Sequence, residues 1–129
     1  MESRVFYEEE GEGRCHVWAF FFFLGDDLVV GIGGGEKPHV GALAVAEPRP
    51  SENKPGIISS TSSVITLFGH KEDIVAREAA DSIARQTNRV VTVTAGIHVR
   101  NATEKEIEIL LENSRRVVQK IIKKVKGQS

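Results

Sequence analysis

The residues best suited to chemistry are a run of glycines and three scattered histidines. The segment from Gly31 to Gly41 reads Gly-Ile-Gly-Gly-Gly-Glu-Lys-Pro-His-Val-Gly. Glycine lets the backbone turn sharply and brings bare N–H groups close to a ligand. With Lys37 and His39 beside Gly33, Gly34 and Gly35, such a segment suits a phosphate or a carboxylate. It is not a Walker loop, since no Gly-Lys-Ser/Thr opens a helix. Nor is it a dinucleotide fingerprint, because a strand is expected where a helix is needed. The plainer reading of the same residues is a glycine-rich connection between two strands.

His39, His70 and His98 each lie beside or near a glycine, at the end of an expected element. If those ends converge, three imidazoles make a metal site or an acid–base pocket. Their spacing matches no compact metal motif, and capping or surface hydrogen bonding is the commoner role of such histidines. We expect them to lie closer together than their sequence separation suggests. His16 sits beside Trp18 and is assigned no role. The hydroxyl cluster Ser59 to Ser63 either lines a polar pocket or is solvated, and no Gly-x-Ser-x-Gly supports a nucleophile elbow. Cys15 is the one cysteine, so no internal disulfide forms, and a lone thiol fits a reducing compartment.

These residues are positioned by about six strands and two helices. Arg4–Glu9, Arg14–Leu24, Leu28–Ile32, Gly41–Ala46 and Ser62–Phe68 read as strands, the second and third joined by a turn at Gly25-Asp26-Asp27. Glu47–Gly56 holds Pro48, Pro50 and Pro55 and is expected to be an irregular loop. His70–Thr87 places Val75, Ala76, Ala79, Ala80, Ile83 and Ala84 on one helical face. Val90–Ile97 is a sixth strand. Thr103 and Glu106 form a capping-box signature before a long helix to about Lys126, with Ile107, Leu110, Leu111, Ser114, Val118, Ile121, Ile122 and Val125 on its inner stripe. The order β-β-β-β-β-α-β-α is not the alternation of a doubly wound sheet. It implies a single α+β domain over 1–129, with a largely antiparallel sheet and both helices packed on it.

The chain has 129 residues, 40% hydrophobic and 27% charged, with a net charge of −1. That balance removes an electrostatic drive toward nucleic acid. The apolar run Val17–Leu24 is far shorter than the roughly 20 residues of a membrane helix, and the acidic N-terminus is unlike a signal peptide. A cytoplasmic protein is the expectation. Phe20, Phe21, Phe22 and Phe23 are consecutive, so in a strand both faces are apolar. One face can meet the helices; a second copy of the chain is the simplest cover for the other. The basic C-terminal end, with Arg115, Arg116, Lys120, Lys123, Lys124 and Lys126, suits the helix dipole and solubility better than RNA or a membrane surface.

Several segments together resemble a known family. They are Pro38-His39-Val40-Gly41-Ala42, Ala46-Glu47-Pro48-Arg49-Pro50-Ser51, Ser63 to Asp73 through Phe68-Gly69-His70-Lys71, and Thr94-Ala95-Gly96-Ile97-His98-Val99 with Asn101. The chain is similar in these to the prenylated-flavin chaperone-like family, that of the small D subunit of gallate decarboxylase. The resemblance implies an accessory protein rather than an enzyme, one that assists a UbiD-type decarboxylase using prenylated FMN, in a fold similar to proteasome assembly chaperones and often paired. Carried over by segment, the implied functional residues are His39, Arg49, His70, Lys71 and His98, suited to a flavin phosphate or an acidic partner surface. Prenylated FMN or FMN, bound transiently, is the implied cofactor, with no metal. The alternative from residues alone is a small metal-binding protein or enzyme using His39, His70 and His98.

Overall fold

The computed structural model describes residues 4–67 and 73–128. Its elements are β1 (Phe6–Glu10), a 3-10 turn (Gly13–Cys15), β2 (Val17–Leu24), β3 (Asp27–Gly35), β4 (Ala42–Pro50), β5 (Ile58–Thr66), α1 (Asp73–Thr87), β6 (Val91–His98) and α2 (Glu104–Gly127). One six-stranded sheet has the order β1-β2-β3-β6-β4-β5. Only β3 and β6 run parallel; the other neighbours are antiparallel. The α+β class, the element order and the mostly antiparallel sheet are those expected from the sequence.

Both helices cover the same face of the sheet. Alternation sends Phe21, Val30, Val93 and Ala44 inward, all at most 1% exposed. Ala76, Ala79, Ala80 and Ala84 of α1 are buried against them, their missing bulk letting the helix sit close. Leu110, Val117, Ile121 and Val125 do the same for α2. The capping box forms in full: the Thr103 hydroxyl accepts from Glu106 N–H, and the Glu106 carboxylate accepts from Thr103 N–H. Ile107, expected on the inner stripe, is instead 49% exposed in the first turn, and the buried stripe begins at Leu110.

Several expected boundaries move: β2 begins at Val17, after the 3-10 turn, rather than at Arg14, and β5 at Ile58 rather than at Ser62. The glycines do not form a connection: β3 continues through Gly35 and pairs Gly33 with both Trp18 and Gly96. Likewise Glu47–Pro50 is strand, not irregular loop, paired with Ile58–Thr61. The phase of the ladder explains why the prolines are tolerated. Leu67 N–H donates to Gly41 O and Ser51 N–H to Ile57 O, so odd positions of β4 bond toward β5 and even ones point away. Pro48 and Pro50 therefore face the side where pairing with β6 has ended at Ala46–Val91, and no ladder bond is lost.

The basic end of α2 also has a partner in the fold. Lys120 Nζ lies 2.6 Å from Glu10 Oε2, and Lys124 Nζ 3.4 Å from Glu8 Oε2. The acidic strand β1 thus docks on the basic helix.

Candidate functional site

Among the described residues, nothing packs over the sheet's other face. It carries Tyr7, Phe20, Phe22 and Ile65, between 36% and 59% exposed, with Trp18, Val29, Leu43 and Val45 half-buried among them. Tyr7 and Phe20 meet at 4.9 Å between ring centres, and Trp18 and Phe20 at 5.6 Å edge-on. Phe21 is fully buried and Phe23 half-buried on the helix side, so the four phenylalanines divide between the two faces as expected. Gly31, opposite Phe20 and Thr94, has open space where a side chain would stand.

At one end of this face the parallel strands β3 and β6 finish together at Gly35 and His98. The chain leaves β3, crosses the end of β6 as residues 36–41, and enters β4. The glycines make this crossing possible. A Cβ on Gly33 would stand 2.6 Å from Trp18 Cζ2 and 3.1 Å from Pro38 Cβ, so the indole and the proline occupy its place. A Cβ on Gly96 would strike the His39 carbonyl, and one on Gly35 the His98 carbonyl. Gly35 also needs its positive φ of 73°.

The amides are used within the fold. Gly35 N–H donates to His16 O (2.9 Å), Glu36 and Lys37 N–H both donate to His98 O (2.7 and 3.2 Å), and His39 N–H donates to Gly96 O (3.3 Å). Gly33 and Gly34 lie in a strand paired on both sides. These glycines therefore supply space, where the sequence suggested N–H donors for an anion. The side chains available to a ligand at this corner are the exposed Lys37 and the two imidazoles.

His39 and His98 are brought together, their ring centres 6.4 Å apart and nearly perpendicular. His39 Nδ1 lies 3.0 Å from Lys37 O. His70 and Lys71 lie outside the described residues. Among the described residues no group of three His, Cys, Asp or Glu side chains could hold a metal. Arg49 is not gathered here. It stands seven positions along β4 from Ala42, about 23 Å at strand rise, and its Nε donates to Thr61 Oγ1 at 2.8 Å. Ser60 and Ser62, from the expected hydroxyl cluster, lie within β5 and donate to Asp81 of α1 at 2.8 and 3.4 Å.

A charged clamp behind the corner has no counterpart in the sequence reading. Arg14 Nε donates to Glu106 Oε2 (2.9 Å), its Nη2 donates to Arg100 O (2.9 Å), and its Nη1 lies 3.6 Å from Glu36 Oε2. Glu36 Oε1 accepts from Arg100 N–H at 2.8 Å. The ends of β3 and β6 and the start of α2 are thereby tied together. The hydrogen bond from Thr103 N–H, then that from Arg14, holds the Glu106 carboxyl below its ordinary value. The signal was half visible: Thr103-x-x-Glu106 marks the cap, but nothing in its spacing points to Arg14.

With this geometry described, the comparisons with known proteins decide the family. A family model, the prenylated flavin chaperone LpdD-like domain, matches residues 11–126. The chain belongs to that family. The match takes in the open face from β2 onward, the His39–His98 corner and nearly all of α2. No curated protein matches the chain. Among solved structures it is similar to a chain from a chaperone complex for yeast 20S proteasome assembly, at 17% identity, with 98% of each chain covered and a TM-score of 0.61. At that identity the likeness establishes the fold, and it agrees with the architecture the family resemblance implied.

Proposed function

We propose that this LpdD-like protein is an accessory factor, not itself a catalyst, that assists a UbiD-type decarboxylase by binding the enzyme or its prenylated FMN. Family membership supports a chaperone role connected with prenylated flavin. The observation that carries the reading further is the open sheet face, an aromatic surface with Glu9, Glu47 and Arg49 toward its margins, which a lone domain has no reason to leave uncovered. Trp18 and Phe20, beside the vacant space over Gly31, offer a planar ring system a stacking surface. Lys37, His39 and His98 lie at the end of the same face, where a phosphate would find charge-assisted hydrogen bonds. Arg49 and Thr61 lie toward its other end, placed for contact with the enzyme rather than with the same ligand. His70 and Lys71 complete the proposed set from the matching sequence segment. Binding of the flavin is transient, as a factor that passes a cofactor on requires, and the protein acts as a homodimer in the cytoplasm.

The test is capture from the native host, with bound proteins and any chromophore identified, repeated with Phe20→Ser and Lys37→Ala. A co-purifying decarboxylase or a flavin spectrum, reduced in both variants, is expected. Stoichiometric metal with no flavin and no decarboxylase would replace this reading with the histidine-based one.

A further inference from the structure

β5 is an edge strand without the usual protection. The opposite edge, β1, is five residues long and carries three glutamates. β5 is nine residues long and has no charge, no proline and no glycine. Edges of that kind pair with another strand unless something prevents it. The ladder phase set by Leu67 and Ser51 turns the N–H and C=O groups of Ile58, Ser60, Ser62 and Val64 outward. Among the described residues no further strand receives them.

The sequence of this edge reads almost the same in both directions, the one exchange being Ile58 for Val64. From Ile57 to Ile65 it runs Ile-Ile-Ser-Ser-Thr-Ser-Ser-Val-Ile, and Thr61 is its centre. Two copies laid antiparallel about Thr61 place Ile57 against Ile65, Ile58 against Val64, Ser59 against Ser63 and Ser60 against Ser62. Apolar meets apolar and hydroxyl meets hydroxyl on both faces of the sheet, with Thr61 facing itself. A twofold contact requires a surface complementary to itself, and cross-strand Ser/Thr and branched pairs are favourable. Ile57 and Ile65, 53% and 59% exposed, cover each other in this register. The charged groups beside the strand are Glu47 and Arg49 on the open face and Asp81 on the helix side, and none belongs to β5 itself.

We propose that β5 is the contact between two copies of this chain, joining their sheets edge to edge in the register centred on Thr61. This rests on the homodimer reading and changes its location: the Phe20–Phe23 strand, expected from the sequence to make that contact, is left free with the open face for the partner. The outward groups of the even positions then form about eight ladder bonds. Thr61 and its copy form the closer, non-hydrogen-bonded pair, at a Cα separation of about 4.5 Å that a disulfide can bridge.

The experiment uses the whole chain with Cys15→Ser. Thr61→Cys, oxidised with diamide, is expected to cross-link into a covalent dimer, whereas Ser59→Cys, whose partner is Ser63 of the second copy, is not. Thr61→Lys sets two cations on the axis and is expected to weaken the dimer at least tenfold by sedimentation. Ser62→Pro, with its N–H facing outward, is expected to leave a folded monomer. A dimer that resists Thr61→Lys, fails to cross-link at Thr61 and is broken by Phe20→Ser overturns the β5 contact and keeps the homodimer. A parent protein that sediments as a monomer at about 100 μM, where even a weak dimer would form, overturns both.

Discussion

Truncating two adjacent phenylalanines should separate what holds the domain together from what it offers to others. Phe21 is fully buried, stacked on Phe6 at 5.0 Å with the rings 15° apart, and paired across β3 with Val30. Phe21→Ala leaves a cavity and removes a stacked ring, which costs about 3–5 kcal/mol. Against a typical domain stability of about 5–15 kcal/mol, that is roughly a fifth of the total or more. Phe20 is 49% exposed and meets the rings of Tyr7 and Trp18. With half the ring already in water, Phe20→Ala forfeits roughly 1 kcal/mol, half the usual gain of burial. Urea unfolding of the variants under conditions where both are monomeric gives the comparison directly, since a midpoint shift at constant slope is a change in stability. Capture of the partner gives the other half: Phe21→Ala should retain it while folded, and Phe20→Ala should lose it. Equal losses of stability would refute the two-faced assignment of β2. A Phe20→Ala protein that captures its partner like the parent would refute the role of the open face.

Gly96→Ala is expected to destabilise more than any exposed-loop glycine change, because the added Cβ meets the His39 backbone carbonyl and only movement of the crossing can relieve it; overpacking of this kind costs about 1–3 kcal/mol, read by urea midpoint, and the His39–His98 pair should separate in histidine NMR shifts. Acid should weaken the fold through Glu10 and Glu106, whose carboxyls are held below 4.5 chiefly by hydrogen bonds from Lys120 and from Thr103. Because their folded values are lowered, this stabilisation is complete above the unfolded value and is lost as pH falls through the folded one; Glu10→Gln with Glu106→Gln should flatten the fall in urea midpoint between about pH 6 and pH 3. Lys37→Ala should weaken FMN binding about tenfold or more, the loss of a hydrogen bond to a charged group, and an unchanged affinity by calorimetry would remove Lys37 from the site.

Much of this fold was legible because its signals are local and periodic. The alanine stripe of α1, the Thr103 capping box and the apolar stripe of α2 each announce an element from within a few turns. What escaped depends on contacts distant in sequence. Whether Gly33 to Gly35 turn or continue as strand is decided by Trp18 and Pro38 filling the space beside Gly33, and by Gly96 allowing the chain to cross. Pro48 and Pro50 read as breakers because their compatibility with β4 rests on where β6 stops, a fact of topology. The basic residues of α2 looked like dipole and solubility charges because β1, more than a hundred positions away, supplies the matching acids.

The same distinction bears on the site. The pairing of His39 with His98 was partly legible, since His98 ends β6 near Gly96 while His39 lies in the crossing that follows β3, and the parallel run of β3 and β6 brings the two to one corner. Arg49 entered through a sequence segment, and segments do not record distance: β4 carries it to the far end of the open face. Under the proposed function, an anion drawn to Lys37, His39 and His98 and a partner touching Arg49 would therefore engage one surface at two separated points. If β5 joins two copies, those surfaces lie side by side in one continuous sheet, with Arg49 and Thr61 of each copy near the seam and each His39–His98 corner far from it. A bound enzyme could then span the seam while each corner stays open to a flavin phosphate, an arrangement that a dimer closed face to face would preclude.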